Sequence, residues 1–147
     1  HTKSHCGRVL LYALLIAGKM DLSLELWEVL GAAAVFHDSR RQDDWLDVGH
    51  GQRAADYYKK FCRTNPLVYD ERVYRIIAYH DREDALGEAA LSDLEHGVLL
   101  YRIFKDADAL DRFRLGEKAL DEDMLRTAPA RSLTDFARYL VAETAHT

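Results

Sequence analysis

Apolar residues recur along this chain at spacings of three and four, the period of one face of an α-helix. Val9, Tyr12 and Ile16 form one such stripe, Leu26, Leu30 and Ala33 a second, and Ala54, Tyr57 and Phe61 a third. Val73, Ile76 and Ile77 continue the pattern, as do Leu100 and Phe104. The strict alternation of a half-buried strand is almost absent. The spacing predicts a first helix over 1–17, stopped at Gly18, and a second from Asp21 or Ser23 to about His37. A polar loop rich in Asp and Arg follows over 39–49, then a third helix over 50–63. Asn65-Pro66 reads as a restart, with Asn as cap and Pro at the first position of a fourth helix reaching Tyr79. Further helices are predicted over 83–91, 97–111 and 121–126, and over 133–143 after Pro129 interrupts.

Composition agrees with this all-α reading. Eight glycines and two prolines in 147 residues are few chain breakers, which disfavours a sandwich or barrel of many short strands. The length suits one domain, a single compact helical bundle over 1–147, with 116–147 as a helical tail. The net charge of −5 speaks against generic nucleic-acid binding, which needs a basic face. Cys6 and Cys62 are too few for a disulfide scaffold and form no CxxC pair, so they read as reduced thiols of a cytoplasmic protein. The longest apolar run, residues 9–18, is half the length of a membrane span, and no A-x-A-like cleavage site follows it.

The stripes carry residues that an apolar face should not have. His5 falls in register with Val9, His37 with Leu30 and Ala33, His50 with Ala54, and His80 with Ile76 and Ile77. Asp108 falls in register with Phe104. One histidine on an apolar face is ordinarily a hydrogen-bonded core residue. Four imidazoles and a carboxylate converging in one helical core repel or desolvate one another unless a cation joins them. Neutral imidazole and carboxylate are ligands for Mn, Fe, Co, Ni or Zn, and no thiolate stands at a ligand-like spacing.

The order His5, then His37-Asp38, then Asp108 resembles the HD superfamily of metal-dependent phosphohydrolases, named for its adjacent His-Asp pair. His5-Cys6-Gly7-Arg8-Val9 is similar to the family's H-x-x-R-V entry, and Asp106-Ala107-Asp108-Ala109-Leu110-Asp111 to its A-D-x-L-D segment. His37-Asp38-Ser39-Arg40-Arg41 and His50-Gly51 resemble small bacterial members of unassigned function. The three metal-site segments lie within 1–115. The resemblance implies a divalent ion (Mn, Fe, Co, Ni, Zn or Mg) on His5, His37, Asp38 and Asp108. Asp106 is a rival for the last place, and Asp106 or Asp111 would otherwise lie behind the ligands or on the surface. His50 and His80 have three open roles: a second metal, the substrate phosphate, or core packing.

What the resemblance implies chemically is hydrolysis of a phosphomonoester or phosphodiester, a nucleotide among them, by a metal-activated water, with Asp38 and Arg40 in the catalytic roles. Phosphate needs cations nearby, and Arg40, Arg41, Arg53 and Lys105 are the candidates, Arg40 foremost and Arg41 also able to pair with Asp43 or Asp44. His1, His96 and His146 read as bystanders. The rival readings are a di-iron oxygenase on the same fold and a non-catalytic nucleotide-sensing or partner-binding module.

Overall fold

Helix α1 (Thr2–Lys19) buries the predicted stripe completely: Val9, Tyr12, Ala13, Ile16 and Ala17 have no exposed surface. The computed structural model describes residues 2–39 and 49–144, leaving aside the side chains of Thr2 and Lys3. The helix does not stop on Gly18. It runs one residue further, and Asp21 takes the left-handed conformation (φ 54°) while Leu22 N–H donates back to Ala17 O at 3.1 Å. This is the usual helix-closing turn with Asp in place of Gly, which a short polar side chain tolerates. Gly18 lies within the helix beside Trp27, whose ring would be in ordinary contact, at 3.6 Å, with a Cβ there.

Ser23 precedes α2 (Leu24–Phe36), whose buried face is Leu26, Val29, Leu30, Ala33, Ala34 and Phe36. After the undescribed stretch, α3 (His50–Thr64) begins behind Gly49, at φ 88°. The expected restart at Asn65-Pro66 is corrected. Asn65 closes α3, its Nδ2 donating to Phe61 O, and the chain stays non-helical to residue 70. The fourth helix, α4 (Glu71–Tyr79), begins only where Asp70 accepts from Arg72 N–H at 2.8 Å. An Asp cap is worth about 1 kcal/mol, and Asn65 makes no such bond forward.

Helices α5 (Asp84–Leu91) and α6 (Gly97–Leu110) follow, the latter passing into a 3-10 turn over Asp111–Leu115. The tail holds a single 3-10 turn at Glu122–Met124 in place of the predicted α-helix. Pro129 does not interrupt a helix either. It sits in the first turn of the short α7 (Ala128–Arg131), where the missing N–H is harmless. Helix α8 (Thr134–Thr144) ends the described chain.

Among the described residues there is no strand, and the eight helices form one compact all-α bundle. Helix α1 packs on α2, α6, α7 and α8, while α3 packs on α4, and α5 on α4 and α6. Leu120, Leu125, Ala130, Leu133 and Ala137 bury the tail against the same core. No helix among the described residues is long and apolar enough to cross a membrane.

The α5–α6 contact depends on one glycine. A Cβ on Gly87 would lie 2.0 Å from Tyr101 Cζ, and Tyr101 is fully buried with its hydroxyl donating to Tyr79 O at 2.9 Å. The ring has nowhere to go without losing that bond. Gly87→Ala is therefore expected to destabilise the protein by about 3 kcal/mol or more, read as a lowered Tm in thermal unfolding.

Candidate metal centre

Five helix ends meet at one place. His5 comes from the first turns of α1 and Asp108 from the last turn of α6. His37 and Asp38 follow the last turn of α2, His80 follows α4, and His50 opens α3. The four imidazoles form a chain of ring contacts, His5 to His37 at 5.2 Å, His37 to His80 at 5.1 Å and His80 to His50 at 4.8 Å. Phe104 packs edge-on to His37 and His80. All four histidines are buried.

The ring nitrogens divide by role. His37 Nδ1 donates to Ala34 O at 2.8 Å, and His80 Nδ1 to Ile77 O at 2.6 Å. A carbonyl only accepts, so each Nδ1 carries hydrogen and each neutral ring keeps its Nε2 lone pair. His5 Nδ1 lies 2.7 Å from Asp111 Oδ2, and His50 Nδ1 lies 3.5 Å from Asp81 Oδ2. Metal-ligating histidines ordinarily have this second partner on the far nitrogen.

The Nε2 atoms converge. Those of His5 and His37 are 3.2 Å apart, and those of His50 and His80 are 3.0 Å apart. Asp108 Oδ1 lies 3.2 Å from His5 Nε2 and 3.5 Å from His37 Nε2. Asp38 spans both pairs, with Oδ2 3.8 Å from His5 Nε2 and Oδ1 3.6 Å from His50 Nε2. Two triads, His5-His37-Asp108 and His37-Asp38-His80, each bring their ligand atoms within 4.8 Å of one another. Facing lone pairs beside two sheltered carboxylates are unfavourable without a proton or a cation between them. The donor set of imidazole and carboxylate fits a divalent ion.

Protons fill the role only unevenly. Burial would lower the His5 pKa, but Asp108 and Asp111 outweigh it and raise it to about 9. Burial lowers that of His80 to about 4, and His37 adds to the effect. Burial pushes the Asp108 carboxyl up, but the facing His37 and His5 rings hold it well below the ordinary range. Against an unfolded histidine at about 6.5, His5 stabilises the metal-free fold below that value and loses the effect as pH rises towards 9. His80 acts oppositely, its contribution present above about 6.5 and lost as pH falls towards 4. The metal-free protein is therefore expected to unfold at its highest temperature near pH 6.5. Ion uptake near pH 7 should release about one proton from His5, which calorimetric titration in buffers of different ionisation enthalpy measures.

The structure brings the four expected ligands together, and with them His50 and His80. It separates the two rival aspartates. Asp106 is fully buried and turned away, accepting from the backbone N–H groups of Arg126 and Thr127. Asp111 is no surface residue: it is fully buried, bound to His5 and paired with the Arg8 guanidinium. Arg8 also donates to Thr144 Oγ1 at 3.0 Å, tying the end of α8 to this buried pair.

The expected phosphate-binding role of Lys105 is corrected. Its ammonium donates to His80 O at 3.2 Å and Arg82 O at 2.7 Å, and lies 3.3 Å from Asp84 Oδ1. Those bonds use its three hydrogens and make it a strut between α6 and the end of α4. Arg53 lies on the first turn of α3, half-buried, beside Gly49. Arg40 and Arg41 lie outside the described residues, as do His1 and His146. His96 is exposed, before α6. Burial, with Asp38 and Asp108 nearby, pushes the thiol of Cys6, beside the site, up to about 12 in the metal-free protein.

Asp81 is the residue that the sequence reading missed. Its signal was present, because His80-Asp81 repeats the dipeptide His37-Asp38. Comparison of the chain with protein-family models, with curated proteins and with solved structures finds no match.

Proposed function

We propose that this protein is a metal-dependent phosphohydrolase of the HD type, acting on a phosphomonoester or phosphodiester, nucleotides included. The observation that supports it is the convergence of four Nε2 atoms on Asp38 and Asp108, with the far nitrogen of each ring beside a carbonyl or carboxylate acceptor. His5, His37, Asp38 and Asp108 would hold one divalent ion, and Asp38, His50 and His80 would share a second. A bound ion would supply Lewis acidity, lowering the pKa of a water from 15.7 towards about 7 and neutralising phosphoryl oxygens.

The chain's own groups supply the rest. Asp111, with its charge balanced by Arg8, orients His5. The carbonyls of Ala34 and Ile77 fix the rings of His37 and His80. Phe104 closes the floor beside both rings and excludes water from that side. Arg40, Arg41 and Arg53 are the cations proposed to grip the substrate phosphate in bidentate fashion.

The test is elemental analysis of the purified protein together with hydrolysis of a panel of phosphate esters, before and after chelation. The expected result is one or two ions per chain and turnover that disappears on chelation and returns with the ion. A protein without bound metal, or turnover indifferent to chelation, sinks the proposal. The same nitrogen- and oxygen-only donor set also suits a di-iron oxygenase. Two irons with a mixed-valence spectrum and activity that needs oxygen would replace phosphoryl chemistry by that reading. Tight metal and nucleotide binding with no turnover of any ester would point instead to a sensing or partner-binding module.

A further inference from the structure

The pair His80-Asp81 repeats, at the end of α4, the pair His37-Asp38 at the end of α2. In both, the imidazole folds back on its own helix and donates to the carbonyl three residues earlier. The aspartates then diverge. Asp38 faces the Nε2 atoms, whereas Asp81 turns to the start of α3. There its Oδ2 accepts from Gly51 N–H at 3.3 Å and lies 3.5 Å from His50 Nδ1.

The carboxylate fits only because residue 51 is glycine. A Cβ there would lie 2.5 Å from Asp81 Oδ1, 2.8 Å from Ile77 O and 3.0 Å from Ala78 O. Asp81 Oδ1 itself is buried and has no hydrogen-bond partner among the described residues. Such an atom costs stability. A negative charge just past the end of α4 also opposes that helix's dipole. Its place at the first turn of α3 offsets the dipole effect, but Gly51 N–H gives it only one long bond, to Oδ2, and leaves the cost of Oδ1 uncompensated.

We propose that Asp81 is a positioning residue: its carboxylate keeps the hydrogen of His50 on Nδ1, leaving the Nε2 lone pair for a cation beside Asp38 and His80. Without that acceptor, the Nε2 neighbours compete for the hydrogen, Asp38 Oδ1 at 3.6 Å and His80 Nε2 at 3.0 Å. Asp81 acts through His50 and touches neither ion nor substrate. The inference rests on the proposed metal centre and adds the carboxylate that completes its second pair of histidines.

The test uses the full chain, with Zn²⁺ as the probe and nitrogen-15 imidazole spectra as the tautomer readout. Wild type is expected to show His50 with hydrogen on Nδ1. Asp81→Ala should move that hydrogen to Nε2 in a large share of molecules and weaken one zinc site about 10–100-fold, leaving the other unchanged. Asp81→Asn, whose amide oxygen can replace Oδ2, should restore the wild-type tautomer. If Asp81→Ala does not fold, Asp81→Leu, which fills the same space without an acceptor, should shift the tautomer likewise. A folded variant with the wild-type tautomer and both zinc affinities unchanged overturns the proposal. A wild type that binds no zinc overturns the metal-centre reading instead, and the tautomer comparison on zinc-free protein still decides the role of Asp81.

Discussion

Replacing Asp38 by alanine is expected to abolish tight binding of both ions while changing the stability of the metal-free fold little. Among the described residues, Asp38 is the one carboxylate that reaches both pairs of histidines, through Oδ2 to His5 and Oδ1 to His50. Loss of a group behind a ligand lowers metal affinity about 10–100-fold, so loss of a shared ligand should exceed about 100-fold. The stability expectation is a near balance, because Asp38 lies 3.8 Å from the His5 ring, which carries a proton near pH 7 without metal. Asp38 is a sheltered carboxylate, 10% exposed, following the C-terminal end of α2, where negative charge is unfavourable by about 0.3–1 kcal/mol. Metal titration and thermal unfolding of metal-free Asp38→Ala check both parts. A variant that keeps its ions, or that unfolds well below the wild type without metal, would show Asp38 to be structural.

Asp106→Ala should give the reverse result: a large loss of stability with metal binding retained. The Asp106 carboxylate accepts from Arg126 N–H at 2.9 Å, Arg126 Nη1 at 3.1 Å, and Thr127 N–H and Oγ1 at 2.8 Å each. Removing it strands two backbone donors and a guanidinium beside a fully buried position, a loss of about 3–5 kcal/mol. For a domain of this size that lowers Tm by about 10 °C or more. Asp84 reinforces the junction from the other side, with Arg126 and Lys105 holding its carboxyl below the ordinary value. Asp84 is 38% exposed, so its share is small. That share is present above about pH 3.9 and is lost as acid protonates the group. Thermal scans with metal titration of Asp106→Ala and Asp108→Ala separate the two roles, since Asp108→Ala should lose an ion and keep most of its Tm.

The helices were legible because each buries one stripe, and a stripe of period 3.6 is written in consecutive residues. Val9 to Ile16 and Leu26 to Ala33 needed no partner to be identified as inward faces. The same logic exposed His5, His37, His50, His80 and Asp108 as polar residues on apolar faces. The errors fell where a local signal competes with a bond made at a distance. Asn65-Pro66 has the residues of a helix start, yet Asp70 makes the capping bond and Asn65 closes the helix before it. Pro129 reads as a breaker but occupies a first turn, where a proline loses nothing.

Charge roles were the least legible part. Lys105 stands three residues before Asp108, so spacing placed it near the site, yet its ammonium is held by the backbone carbonyls of His80 and Arg82, 25 and 23 residues away in sequence. Asp81 went unnoticed because its partner His50 lies 31 residues earlier and on another helix.

The sequence by itself determined the helical class, the inward placement of the four histidines and the order of the site segments, because these depend on spacing within single helices. Only the tertiary structure decided which nitrogens face one another, which aspartate joins the pocket and which binds the tail, and which cations are already engaged. Those outcomes depend on the crossing of five helix ends. A difference of two positions along α6 there separates Asp106, bound to Arg126 and Thr127, from Asp108, 3.2 Å from His5. A helix turns about 100° per residue, so neighbours in sequence face different partners, and the partners are set by the fold.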